Sequence, residues 1–277
     1  MAFTRTAGPL TLEQVRERAP SAFAMEADAS RSARYTYIPT LDILRGMEEA
    51  GFLPFQASQS RTKDLTRKEH TKHMIRFRHM DAGALQVQDV FPEVVLVNSH
   101  DGSSAYNLMA GIFRLVCSNG MIVADSMLAS VHVRHQGDVV KNVIDASYEI
   151  IEQTPRTLDT IKEWQGLQLT AGEKQAFADS AHILRFADSE GHSTSLITPD
   201  QLLTPRRYDD KGDDLWSVFN RVQENTIKGG LTAVKRDENG RRVRRVRTRH
   251  IKGIDQDVKL NKALWQLSER MAALKAA

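Results

Sequence analysis

The sequence predicts an α+β protein, in which an antiparallel β-meander is crossed by a long helix and followed by a helical and basic-hairpin C-terminal part. Three observations predict it. Residues 92–125 are the most apolar stretch of the chain, and turn residues divide them as a meander requires. Apolar residues recur at helical spacing over 140–161. Residues 235–252 gather nine basic side chains around an Asn239-Gly240 turn. The expected organisation is an N-terminal segment over 1–36, a core domain over 37–190, a connection over 191–212, and a C-terminal part over 213–277.

Each element has its own signal. Thr11, with Gln14 three residues on, opens a short helix that Pro20 ends. Thr40 reads as an N-cap, Leu41, Leu44 and Met47 as one helical face, and Gly51 as the stop. The following strand, residues 52–57, reads as an edge strand because Pro54 cannot donate to a ladder. In residues 72–78, Ile75 and Phe77 share one strand face, and Arg76 and Arg78 share the other. Residues 94–97 are β-branched and strand-like. His100 to Ser104 is a turn cluster, and the apolar run from 105 to 117 bends at Gly111. Asn119-Gly120 signals a second hairpin, leading into Met121-Ile122-Val123. A strand follows over 128–135. The long helix after Asp138 is kinked or divided at Pro155 and leaves one sheet face free. Thr170 and Glu173 form a capping box. Residues 193–208, with two prolines, read as a linker or extended connection. Asp213-Asp214 opens a helix closed by Gly229-Gly230. The chain ends in a helix whose Leu260, Leu264, Leu267, Met271 and Leu274 form a docking or oligomer stripe.

Composition narrows the function classes. The chain has 277 residues, is 41% hydrophobic and 26% charged, and so can bury a substantial core. One cysteine excludes an internal disulfide framework and suits a reducing compartment. No apolar run approaches the roughly 18 residues of a membrane span, and the N-terminus lacks a signal-peptide pattern. The expected location is cytoplasmic. The net charge of +3 says little, but its distribution says more. Lys72, Arg76 and Arg78 form one expected phosphate-contacting group. Arg241, Arg242, Arg244, Arg245, Arg247 and Arg249 form the other, on a β-ribbon that can track a nucleic-acid backbone or enter a groove. Tyr35, Tyr37 and Phe77 are candidate base-stacking side chains.

No cofactor or metal is expected. His70 with His73, and His132 with His135, have a spacing some zinc sites use. Neither completes a ligand set, and positions i and i+3 of a strand face opposite ways. Cys117 near His100 and Asp101 admits a hydrolase reading, against the commoner role of a small buried thiol.

Several motifs resemble a known family. They are Ala19-Pro20-Ser21-Ala22-Phe23-Ala24, Tyr37-Ile38-Pro39-Thr40, Lys72 to Arg78, the 92–120 core, and Leu215 to Asn225. Together they resemble the phage- and plasmid-borne family known as domain of unknown function nine hundred and thirty-two, over about residues 19–230. The resemblance implies a bacterial mobile-element setting and no assigned activity. In order of elements the chain is also similar to single-strand annealing proteins of the Rad-fifty-two type. The expected function is non-enzymatic binding or annealing of single-stranded DNA in recombination, possible homo-oligomerisation included. The alternatives are an anti-defence or regulatory protein that binds a host protein, and a hydrolase using Cys117.

Overall fold

The computed structural model describes residues 8–26, 28, 37, 39–64, 67–81, 89–101, 104, 106–115, 119–123, 131–133, 138–188, 190–193 and 195–276. The chain divides into two compact units, Met1–Thr157 and Leu158–Ala277. The boundary expected at 190 falls inside the second.

The first unit begins with α1, Leu12–Arg18. The Thr11 hydroxyl accepts from the Gln14 amide, and the Gln14 side chain accepts from the Thr11 amide, as the spacing predicts. A 3-10 turn, Pro20–Phe23, follows, then α2, Thr40–Glu49. Its N-cap is Pro39, not Thr40, because the Thr40 hydroxyl turns into the core and bonds there. The strands are β1 Phe52–Gln59, β2 His73–His79, β3 Val90–Asn98, β4 Tyr106–Arg114, β5 Asn119–Ile122 and β6 Val131–Val133. They form an antiparallel sheet in the order β1-β2-β3-β4-β5, with β6 also on β4. Pro54 lies on the edge strand as expected, beside a register shift.

Two turn expectations are corrected. Asn119 and Gly120 are not a hairpin tip; they pair with Arg114 and Phe113 inside the sheet. Gly111 makes no bend, since β3 and β4 pair without a break from Val90–Arg114 to Val97–Asn107. Both glycines serve a buried arginine, described below.

Helix α3, Val139–Glu152, is capped by Asp138, whose carboxylate accepts from the Lys141 amide. Pro155 stands in the first turn of the next helix, α4, Thr154–Gly166, so the long helical pattern is divided there. Tyr148 of α3 meets Phe52 edge-on at 5.1 Å. Strand register puts Phe52, Ile75, Phe77, Leu96 and Leu108 on that helix-covered face. The opposite face was expected to be free. It is buried too, Met74, Val95, Val97 and Met109 included.

The second unit holds α5 Ala171–Phe186, α6 Pro199–Leu202, a 3-10 turn Tyr208–Asp210, α7 Leu215–Lys228, β7 Thr232–Arg236, β8 Arg242–Arg247 and α8 Ile254–Ala276. The Thr170–Glu173 capping box forms as predicted. Aromatic rings make the core. Trp164 lies 4.6 Å from Trp265 and 5.8 Å from Phe219. Of the α8 stripe, Leu260, Leu264 and Met271 are buried in this unit beside Trp265, Leu267 is half-buried, and Leu274 is exposed. Residues 193–208 connect α5 to the elements before α7. Ile197 and Leu202 are buried, and the backbone bends around them into α6.

Candidate functional site

Arg76 and Arg78 were expected on a wet, phosphate-contacting face. They are 1% and 8% exposed, and both are committed to Glu93 of β3. Arg76 Nε donates to one carboxylate oxygen at 2.5 Å, and Arg78 Nε to the other at 2.9 Å. Arg76 Nη2 also donates to the Met121 carbonyl at 2.7 Å. The Arg78 guanidinium lies 4.2 Å from the Phe55 ring and 4.0 Å from the Phe113 ring. Burial pushes Arg78 below the ordinary guanidinium value, and Glu93 opposes the shift. The alternation of residues 72–78 holds, but its polar side is a buried charge triad.

This triad explains the two glycines. A Cβ on Gly120 would sit 2.7 Å from Arg76 Cζ, and one on Gly111 would sit 2.9 Å from Arg76 Nη2. Arg76 is pinned by Glu93 and Met121, so it cannot yield. Gly120→Ala is therefore expected to destabilise the first unit by about 1–3 kcal/mol, the usual cost of overpacking. Urea unfolding followed by circular dichroism measures it, and an unchanged midpoint would mean that Arg76 is free to move.

A second buried polar group sits at one end of the sheet. Thr40 Oγ1 lies 3.0 Å from His73 Nε2, 3.1 Å from His100 Nε2, 3.2 Å from Tyr106 Oη and 3.2 Å from Asn98 Nδ2. One hydroxyl donates once and accepts twice, so these four contacts cannot all be hydrogen bonds at once. His73 Nδ1 is 3.1 Å from Ser21 Oγ. Burial, then the neighbouring His100, lowers His73 from 6.5 to about 3. Among the described residues no three histidine, cysteine, aspartate or glutamate side chains are placed to hold a metal ion. His100, proposed beside Cys117 in the hydrolase reading, is fully buried in this group. Cys117 and His135 lie outside the described residues.

The candidate stacking residues divide similarly. Phe77 is fully buried. Tyr37 is half-buried, and its hydroxyl donates to the Ala24 carbonyl. Tyr35 lies outside the described residues. Lys72 is half-buried just before β2.

The C-terminal ribbon is where the sequence placed it. β7 and β8 pair antiparallel, Thr232 with Arg247 and Val234 with Arg245. The tip is the predicted Asn239-Gly240 turn, with Gly240 at φ 75°. Asp237 Oδ1 accepts from the Asn239 and Arg241 amides at 3.0 and 2.8 Å. Lys235, Arg241, Arg245, Arg247 and Arg249 are exposed. None of these five makes an ion pair among the described residues. The side chains of Arg242 and Arg244 lie outside the described set.

A polar network, which the sequence did not reveal, fixes the root of this ribbon. Asn225 Nδ2 donates to the Leu202 and Thr204 carbonyls, and its Oδ1 accepts from Arg206 Nε at 2.7 Å. Arg206 Nη2 donates to the Gly229 carbonyl. Arg207 binds Glu224 through two nitrogens at 2.7 and 2.6 Å. Burial pushes the Glu224 carboxyl up, but Arg207, Lys228 and Arg206 more than offset it and hold it below the ordinary value. Gly229 has φ 63°, and a Cβ there would meet the Arg249 backbone at 2.7 Å, so only glycine lets the two ribbon roots approach. The signal in the sequence was a run of polar residues on a helix flanked by aromatic core: every residue of α7 from Leu215 to Ile227 except Ser217 is buried. At the same root, burial and the charges of Lys252 and Lys228 lower the His250 imidazole.

Comparison with known proteins agrees with the sequence motifs. Two relatives from Escherichia coli strain K12, the UPF0380 protein YfjQ and the UPF0380 protein YafZ, are each 43% identical over 263 residues. Each alignment covers 95% of this chain and 92% of the relative. No solved structure matches the chain. The model of the family described as domain of unknown function (DUF932) matches residues 28–265, and this chain belongs to that family.

Proposed function

We propose that the chain binds nucleic acid through the β7–β8 ribbon. The observation that supports this most is a rigidly rooted two-stranded ribbon whose exposed cations have no protein anion among the described residues. Exposed arginines crowded on one hairpin repel one another, and an external polyanion relieves that repulsion. Arginine forks suit phosphate oxygens.

Phosphate contact by the ribbon takes over the role first given to Arg76 and Arg78. A role in mobile-element DNA recombination, a cytoplasmic setting and assembly into oligomers belong to the same proposal. Annealing of single strands, which rests on element order alone, is a separate reading, and tighter binding of single-stranded than of duplex DNA would favour it.

The test is the salt dependence of binding. Each phosphate contact contributes about 0.7–0.9 to the slope of log affinity against log salt. The variant Arg241→Ala/Arg245→Ala/Arg247→Ala removes three exposed cations and leaves the core intact. Its slope is expected to fall by about two to three relative to the parent. Fluorescence anisotropy with a labelled oligonucleotide at several salt concentrations reads it. An unchanged slope would remove the ribbon from the interface. No binding at low salt, with recovery of the ribbon on an acidic protein surface, would favour the host-protein reading instead.

A further inference from the structure

We infer that the ribbon lies lengthwise in the major groove of duplex DNA, through the face that carries Val234, Arg245 and Arg247, with the exposed Val243 at the adjoining bulge. This rests on the nucleic-acid reading above and names the form of nucleic acid. Three features of the ribbon carry it.

The first is which residues share the outward face. Side chains alternate along a strand, so positions 232 and 234 of β7 and positions 245 and 247 of β8 fall on one face, and Val243 is the extra residue at the register shift that follows. Ala233 and Val246, on the other face, are half-buried. The outward face presents Arg245 and Arg247 exposed and Val234 38% accessible, and Val243, at the bulge beside them, is 63% accessible. Two β-branched apolar side chains left in water between arginines are not what a purely solvated charged hairpin would carry. They are what a groove floor requires. Arginine reads the guanine O6 and N7 edge there, and an apolar group contacts the thymine methyl.

The second is what the ribbon lacks. Residues 231–249 contain no phenylalanine, tyrosine or tryptophan. Binding of single strands relies on aromatic side chains on which bases stack, and the ribbon offers none. Its dimensions suit a duplex instead. The six residues of β8 extend about 20 Å, and a two-stranded ribbon fits a major groove about 12 Å wide. The A-form major groove of duplex RNA is too deep and narrow for it.

The third is the tip. Asp237 and Glu238 stand beside the turn, and both are exposed. A hairpin that led with this end would bring carboxylates against phosphates. The charge order therefore favours a ribbon laid along the groove, tip projecting beyond it, over an arm inserted tip-first into the minor groove.

The experiment is an anisotropy titration of the full chain with three labelled probes of the same random-sequence pool: duplex DNA, its single strand, and duplex RNA. The parent is expected to bind duplex DNA at least about tenfold more tightly than either other probe, the scale of base-edge contacts. Val234→Ala/Val243→Ala, which alters only exposed side chains, is expected to shrink that ratio while leaving the salt slope unchanged. Equal or tighter binding of single-stranded DNA or duplex RNA, still lost in the triple-arginine variant, would overturn the groove assignment and leave the nucleic-acid reading standing. Absence of binding to all three probes would remove both.

Discussion

Replacing Glu93 with glutamine is expected to destabilise the first unit by about 3–5 kcal/mol, the cost of leaving buried cations without their anion. Glu93 is the one carboxylate on which Arg76 and Arg78 both close, at 2.5 and 2.9 Å, and all three side chains are buried. A glutamine keeps the size and part of the hydrogen bonding. It removes the charge, so two guanidinium groups stay in a low-dielectric interior beside each other. The rings of Phe55 and Phe113 offset only part of that repulsion for Arg78, since a cation–π contact is worth about 2 kcal/mol even when desolvated. The companion variant separates charge from packing. Arg76→Met/Glu93→Leu/Arg78→Leu replaces the whole triad with apolar side chains and is expected to recover most of the loss. Urea unfolding followed by far-ultraviolet circular dichroism measures both. A Glu93→Gln midpoint within experimental error of the parent would show that water reaches the triad.

The second large effect is acid destabilisation through His73. In the folded chain this imidazole has its pKa lowered from 6.5 to about 3, by burial first and by His100 second. The unfolded chain therefore takes up the proton first as pH falls. The stability that depends on neutral His73 is fully present above pH about 6.5 and is lost progressively between about 6.5 and 3. At pH 5 the expected loss is about 2 kcal/mol, from 1.5 units at about 1.4 kcal/mol each. The Thr40 and Ser21 hydroxyls and the Thr71 carbonyl also face the ring, and none offers a full negative charge to a protonated His73.

Hydrogen exchange on β2, β3 and β4 reads this unit directly. All three tryptophans, Trp164, Trp216 and Trp265, lie in the second unit, so their fluorescence gives a separate readout. Exchange should accelerate between pH 8 and pH 5, after correction for intrinsic rates, and His73→Gln should flatten the dependence. A parent and variant that lose protection in parallel would exclude His73 as the group responsible.

Local chemistry was legible wherever it acts over a few residues. Thr11 with Gln14, Thr170 with Glu173, Asp138, Pro155 and Asn239-Gly240 act through bonds within one turn of chain, and each sits where the spacing put it. The strand character of the 92–125 stretch, the meander and the basic ribbon follow from period and turn residues, which need no knowledge of what lies opposite. The family was legible too, because its motifs are runs of consecutive residues.

What only the tertiary structure decided is which side of each element meets solvent and which polar groups meet one another. Alternation placed Arg76 and Arg78 on the face opposite Ile75 and Phe77, but it cannot say whether that face is wet. A single acid in the apolar run of β3, Glu93, turns the arginines from candidate ligands into a core triad. Thr40 has the chemistry of a cap, yet His73, His100, Asn98 and Tyr106 converge on its hydroxyl from far along the chain. Asn119-Gly120 has the chemistry of a turn, yet Gly120 is in the sheet because Arg76 occupies the space of its missing side chain. In each case the local preference is about 1 kcal/mol or less, and an unpaired buried charge or polar group costs several times that. Partners distant in sequence set that greater cost, and only the folded chain brings them together.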